Sequence, residues 1–124
     1  MWSVLVVDDN PAVRKVICEL FTREADFWVC AHAENGREGL LKAQELEPDL
    51  VVTDLTMPLM NGLEETRALK KLMPYVPVIL YSANMDTFVE KEALAAGASA
   101  AVAKSDVVAV LIPTARTLLS KMAA

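Results

Sequence analysis

The sequence predicts an α/β domain: a five-stranded parallel sheet wound on both faces by helices. Three observations carry this. Short apolar runs alternate with longer stretches of helical period five times over. The runs are near-continuously apolar rather than alternating, as strands buried on both faces must be. Two of them, Val4-Leu5-Val6-Val7 and Leu50-Val51-Val52-Thr53, lead straight into carboxylates, Asp8-Asp9 and Asp54.

Residues 3–7 form the first strand, and Asn10-Pro11 then caps and opens a helix whose Val13, Val16, Ile17, Leu20 and Phe21 recur at helical spacing. Phe27 to Ala33 is the second strand, the least alternating of the five. Asn35 and Glu38 have the spacing of a capping box ahead of Leu40 and Leu41. Pro48-Asp49 ends that helix and starts the central strand, Leu50 to Asp54. Asn61 and Glu64 repeat the capping-box spacing before a third helix carrying Leu63, Leu69, Leu72 and Met73. Pro74 and Pro77 bracket the turn into the fourth strand, Val78-Ile79-Leu80-Tyr81. Asp86 caps an alanine-rich fourth helix that stops at Gly97, the residue best able to take the left-handed terminal conformation.

Ala100 to Ala103 is a thin fifth strand. In the last helix Val108, Leu111, Ile112, Ala115, Leu118 and Leu119 keep a helical period, but Pro113 removes a hydrogen bond and crowds the preceding turn. The expectation is a kink there, or a loose turn at 106–111 with the regular helix beginning near Ile112. Right-handed crossovers make a doubly wound, flavodoxin-like topology with strand order 2-1-3-4-5 and five helices the leading arrangement.

A length of 124 residues suits one domain, 1–124, with a single core. Twelve basic residues against 17 acidic ones, net charge -5, argue against a binder of nucleic-acid backbone, which needs a basic face. No apolar run approaches a membrane span and no signal core precedes the first strand, so a cytoplasmic protein is expected. Cys18 and Cys30 have no metal-ligand spacing and are expected to fill apolar space.

In an open parallel sheet ligands bind at the carboxyl ends of the strands. Three carboxylates delivered there by two strands repel one another, and a cation must normally relieve them. Ser82 follows the fourth strand and Lys104 the fifth, adding a hydroxyl and an ammonium to the same edge. Such a place suits magnesium, which prefers carboxylate oxygens and bridges to phosphate. Lys104 would balance an oxygen of a transferring phosphoryl group, and Asp54 is the natural nucleophile.

With these residues in hand the chain resembles the receiver domain of bacterial two-component response regulators. The resemblance covers nearly the whole length and rests on a combination: Asp8-Asp9, Asp54 followed by Met57-Pro58 and Asn61-Gly62, Ser82-Ala83, Ala96-Gly97-Ala98, and Lys104. It implies that Asp54 takes a phosphoryl group from the phosphohistidine of a sensor histidine kinase. Asp9, Asp54 and the Thr56 carbonyl would hold magnesium, with Asp8 helping through water. Ser82 and Lys104 would contact the aspartyl phosphate, while Thr56 and Asn84 border it and modulate its hydrolysis. Such a domain is a phospho-acceptor assisting its own phosphorylation and dephosphorylation, not an enzyme. A downstream partner would read the face of helix 4, strand 5 and helix 5; the alanine-rich stretch there is expected either to pack helix tightly on sheet or to leave a flat apolar surface for a homodimer.

Met57 to Glu64 with Thr66-Arg67, and serine after Lys104, look closest to receivers that precede a LuxR-type helix-turn-helix domain. The sequence ends at Ala124 without one, so the chain is expected either to work alone or to be a fragment of a longer regulator. One position departs from the family. An aromatic usually stands three residues before the lysine, and here it is Ala101, so the usual ring coupling is expected to be absent and the signal to pass by loop and helix movement.

Blander readings apply elsewhere. His32 lies away from the inferred site, and Trp2, Trp28 and Tyr81 are expected to pack in the core or at its edge. A receiver-like docking module that is never phosphorylated is the alternative function. Phosphatases of the haloacid-dehalogenase type carry a second acid two residues after the nucleophile, where this chain has Thr56. Dinucleotide binding fails because Asp8-Asp9-Asn10-Pro11 replaces the glycine-rich turn. A resting ion pair between Lys104 and Asp54 is a further structural expectation.

Overall fold

A computed structural model describes residues 1–123. Strands β1 (Trp2–Val7), β2 (Phe27–Ala33), β3 (Leu50–Asp54), β4 (Val78–Ser82) and β5 (Ala100–Ala103) alternate with helices α1 (Pro11–Thr22), α2 (Gly36–Leu46), α3 (Gly62–Leu72), α4 (Thr87–Ala95) and α5 (Val107–Ala123). The strands form one parallel sheet in the order β2-β1-β3-β4-β5, as the alternation predicts.

Strand parity sorts the core into two layers. Val4, Val6, Leu50, Val52, Ile79 and Tyr81 face α1 and α5, packing with Ile17, Phe21, Leu111 and Leu119. Leu5, Val7, Val51 and Val78 face α2 and α3, packing with Ala43, Leu69 and Met73. The same parity extends past the strand ends: Asp8 and Asp54 fall on the first face, whereas Thr53 falls on the second. A third, much smaller cluster of Leu80, Ala93 and Ala98 is what anchors α4.

The caps follow the sequence with one exception. Asn10 and Asp86 accept from the first-turn N–H groups of α1 and α4, and Asn61 with Glu64 closes a full capping box on α3. At α2 only half the box forms. Asn35 accepts from the Glu38 N–H at 2.8 Å, but the Glu38 carboxylate turns along the helix to Lys42 at 2.9 Å. Gly97 takes φ +108° beyond α4, the left-handed conformation expected of it.

At the carboxyl end of the chain the structure rules out one of the two expected arrangements, the loose turn. No loose turn occupies 106–111: a single 3-10 turn, Lys104–Asp106, leads directly into α5 at Val107, and the helix continues through Pro113. Proline is tolerated because its missing N–H would have bonded Ala109, four residues back. Both residues lie on the exposed side, so the freed carbonyl meets water. The buried positions Val107, Leu111, Ala115 and Leu119 hold the other side against the sheet. Among the described residues no helix is long and apolar enough to cross a membrane.

β2 carries an irregularity. Val4 pairs with Val29 and Leu5 with Ala31, leaving Cys30 outside the register, and its thiol donates to the Val4 carbonyl at 3.4 Å. Both cysteines are half-buried free thiols.

The loop from β3 to α3 holds the one strained residue near the sheet's carboxyl edge. Leu59 adopts φ 67°, and Met60 N–H bonds back to the Pro58 carbonyl at 2.8 Å, closing a positive-φ γ-turn on a branched, 70 % exposed side chain. Leu59→Gly is therefore expected to stabilise the protein by about 0.5–1 kcal/mol, the relief of strain exceeding the added freedom of the unfolded chain. Urea denaturation midpoints of the two proteins check this.

Candidate functional site

The sheet's carboxyl edge brings together what the strand ends predict. One carboxylate oxygen each from Asp8, Asp9 and Asp54 lies within 4.8 Å of the others. Asp8 is fully buried, Asp54 is 6 % exposed, and Asp9 faces solvent. Two buried acids in this arrangement oppose each other's ionisation. The Asp54 carboxyl is accordingly pushed from its ordinary 3.8 up to about 6, first by burial and then by the charge of Asp8. The Lys104 ammonium and the backbone N–H groups of Thr56 and Leu55 pull the other way.

Asp8 is satisfied by the protein itself. Its Oδ1 accepts from the Asn10 N–H at 2.8 Å and its Oδ2 from the Tyr81 hydroxyl at 2.5 Å. The Arg14 guanidinium donates to the Asp8 carbonyl at 2.8 Å, tying α1 to the end of β1. Tyr81 thus does more than the packing expected of it. Level with Asp54 in the β3–β4 register and on the same face, it reaches across the central strand to Asp8. Burial, followed by the bond to Asp8 and its charge, keeps the phenol protonated well above its ordinary range. The available signal was parity, since Tyr81 shares a face with Ile79 and Asp54.

The remaining predicted residues stand around this centre. Thr56, in the loop after β3, is exposed. Ser82 is buried at the end of β4 and its Oγ accepts from the Asn84 N–H at 3.2 Å. Asn84 itself is exposed. Lys104 is half-buried at the start of the 3-10 turn. Its charge is felt by Asp54, but among the described residues the ion pairs within 4.0 Å are those of Lys42 and Arg116, so the expected Lys104–Asp54 contact pair is not formed. Ala101, half-buried in β5, lines a cavity of about 350 Å³ with Met85, Glu90, Val110 and Thr114. His32 is exposed on β2, Trp2 packs on Phe27, and Trp28 is half exposed at the sheet edge.

Behind Asp54 lies a residue the sequence reading passed over. Glu65 of α3 is completely buried, and its Oε1 lies 2.6 Å from the Thr53 hydroxyl. Its Oε2 has no hydrogen-bond partner. Burial pushes this carboxyl from 4.5 up to about 8, the Thr53 bond opposing only part of the rise. The glycine at 39 makes the space: a Cβ there would overlap Glu65 Oε2 and stand 2.9 Å from Val7 Cγ2. Helical period held the clue, because Glu65 lies four residues before Leu69 and eight before Met73, on the core stripe.

The donor set fits magnesium: hard carboxylate oxygens, one exposed, one buried, one buried and already hydrogen-bonded to the protein, around a centre whose own acids resist ionising together.

The family model of the response regulator receiver domain matches residues 4–115. The chemotaxis protein CheY of Thermotoga maritima is 38 % identical over 101 residues, 82 % of this chain and 83 % of that protein. A protein-glutamate methylesterase/protein-glutamine glutaminase of a Nocardioides species is 41 % identical over 103 residues, and the transcriptional regulatory protein LnrK of Bacillus subtilis 37 % over 99. The matched segments span only 28 % and 45 % of those two longer relatives. Among solved structures, a LuxR-family two-component response regulator from Aurantimonas superposes with TM-score 0.93 at 30 % identity, covering 98 % of this chain and 86 % of that one. The response regulator domain of Thermotoga maritima CheB gives 0.89 at 28 % identity, covering 97 % of each.

The raised Asp54 carboxyl has a consequence for stability. Its folded value lies above the ordinary one, so the native state holds this proton more tightly than the unfolded chain, and stability is lost as pH rises from about 4 to about 6. Asp54→Asn is expected to be about 1–2 kcal/mol more stable than the natural protein at neutral pH, after discounting for solvent and relaxation, with the gain vanishing in acid. Urea melts across pH, with and without magnesium, check this; magnesium should stabilise the natural protein more than the variant.

Proposed function

The chain belongs to the response regulator receiver family, the phosphorelay switches of two-component signalling, and on that premise we propose that Asp54 is its phosphoryl acceptor. The observation that carries the reading is the position of Asp54. It sits at the end of the central strand, buried, with a carboxylate oxygen close to those of Asp8 and Asp9 and within the field of the Lys104 charge.

In the proposed reaction an Asp54 carboxylate oxygen attacks the phosphorus of a phosphohistidine on a sensor histidine kinase. The new O–P bond forms as the P–N bond breaks, and the electron pair leaves with the imidazole. Asp9, Asp54 and the Thr56 carbonyl would hold magnesium, with Asp8 one layer out because both of its oxygens already accept from the protein. Bound there, the cation would neutralise the acids and charge developing on the phosphoryl oxygens. Lys104 would move from its present half-buried place to an oxygen of the aspartyl phosphate, and the Ser82 hydroxyl would donate to another. Thr56 and Asn84, exposed beside the acceptor, would govern access of the hydrolytic water.

Output would pass through the face of α4, β5 and α5 to a downstream protein, an output domain or a second copy. With alanine at 101 no ring can report the movement of Ser82. The weak anchoring of α4, whose one buried residue is Ala93, supports movement of the helix and its preceding loop instead.

Intact-mass spectrometry after incubation with a small phosphodonor tests the acceptor. One phosphoryl group should be added, requiring magnesium and absent in Asp54→Asn; Lys104→Ala should slow its uptake roughly 10- to 100-fold, the cost of one charge-assisted contact. A folded natural protein that takes up nothing would turn the reading to a phosphorylation-independent docking module.

A further inference from the structure

The buried carboxyl of Glu65 and the hydroxyl of Thr53 form a short chain ending on the backbone of Asp54. Thr53 Oγ1 lies 2.6 Å from Glu65 Oε1 and 3.2 Å from the Asp54 carbonyl oxygen, two potential acceptors for one hydroxyl hydrogen. With the carboxyl neutral, every hydrogen finds a partner in only one way. A proton on Oε2 would have no acceptor, since that oxygen has no hydrogen-bond partner. A proton on Oε1 is donated to Thr53 Oγ1, and the threonine's own hydrogen then goes to the Asp54 carbonyl.

The other half of that peptide is fixed from the next strand, where the Leu55 N–H donates to the Tyr81 carbonyl at 2.9 Å. We propose that Glu65 is a positioning residue for the phosphoryl acceptor: its carboxyl proton turns the Thr53 hydroxyl onto the Asp54 carbonyl and thereby fixes the peptide from which the Asp54–Thr56 turn departs. Ionised, the carboxylate would capture the threonine's hydrogen through the stronger, charge-assisted bond and release the Asp54 carbonyl. Thr53 of β3 is the hydrogen-bond partner of Glu65, Gly39 of α2 abuts its Oε2, and no charged group contributes to its shift.

The arrangement is specific to these side chains. Gly39 provides room that any other residue would fill, and a buried acid with one bare oxygen is costly unless it is protonated. In its bearing on phosphorylation the inference rests on Asp54 being the acceptor; the link between the carboxyl proton and the Asp54 peptide does not.

The test combines two readouts on the natural protein, Glu65→Gln and Thr53→Val. Carbon-13 NMR follows the Glu65 carboxyl through its titration near pH 8 while the amide shifts of Leu55 and Thr56 are recorded. In parallel, the initial rate of phosphorylation by a small phosphodonor at saturating magnesium is measured over the same range. In the natural protein the two amides should shift with the carboxyl, and the rate should fall roughly fivefold as it ionises, the worth of one hydrogen bond. Glu65→Gln, whose amide still donates to Thr53, should keep the low-pH rate and lose both pH effects; Thr53→Val should show neither effect and phosphorylate slowly throughout. Amide shifts that ignore the titration, or a Glu65→Gln variant that keeps the natural pH limb, would overturn the proposal. A natural protein that takes up no phosphoryl group would overturn the acceptor reading, and the amide shifts would still decide whether Glu65 governs the Asp54 peptide.

Discussion

The structure turns on the meeting of two buried acids, Asp8 and Asp54, at the ends of adjacent central strands. Each stands on a strand whose preceding residues are wholly buried, so neither can retreat to solvent without breaking the sheet. Their repulsion is answered in two ways. The protein supplies the Tyr81 hydroxyl and the Asn10 N–H to Asp8, leaving Asp54 with the raised carboxyl and the weaker support of backbone N–H groups and a distant ammonium. On the proposed reading, a divalent cation and a phosphoryl group would complete the balance. The folded state is therefore under an electrostatic tension that bound ligands would relieve, a physical basis for the proposed switch.

An apolar run ending in a carboxylate gives a strand and its carboxyl edge, so Asp8, Asp9, Asp54, Ser82 and Lys104 were placed at one edge from sequence. Distances across strands are another matter. Parity put Tyr81 on the Asp54 face, but only the twist and register of three strands bring its hydroxyl to Asp8. Glu65 lay on the apolar stripe of α3, yet a glutamate beside a capping Glu64 reads as part of an acidic first turn until Gly39 is seen to leave it room.

Two local expectations failed for reasons of competition. Glu38 has the right spacing to close a capping box, but Lys42 offers it an ion pair one turn on, and the ion pair is what forms. The loose turn at 106–111, one of the two arrangements expected around Pro113, does not form; sequence does not say which side of the helix the freed carbonyl faces. It faces solvent, and the four buried residues spaced along the other side outweigh the single lost bond. The Lys104–Asp54 contact belongs to another class. Sequence gives the charges and the common edge, not the closeness of the pair.

Asp54 is held in tension by burial and by Asp8, and a divalent cation should relieve it. Carbon-13 NMR titration of the Asp54 side-chain carboxyl, with and without magnesium, measures this most directly. Without metal the carboxyl should titrate near pH 6, and magnesium should bring it down into or below the ordinary carboxylate range. A metal-free value already at the ordinary 3.8, or a raised value that magnesium leaves in place, would contradict the account.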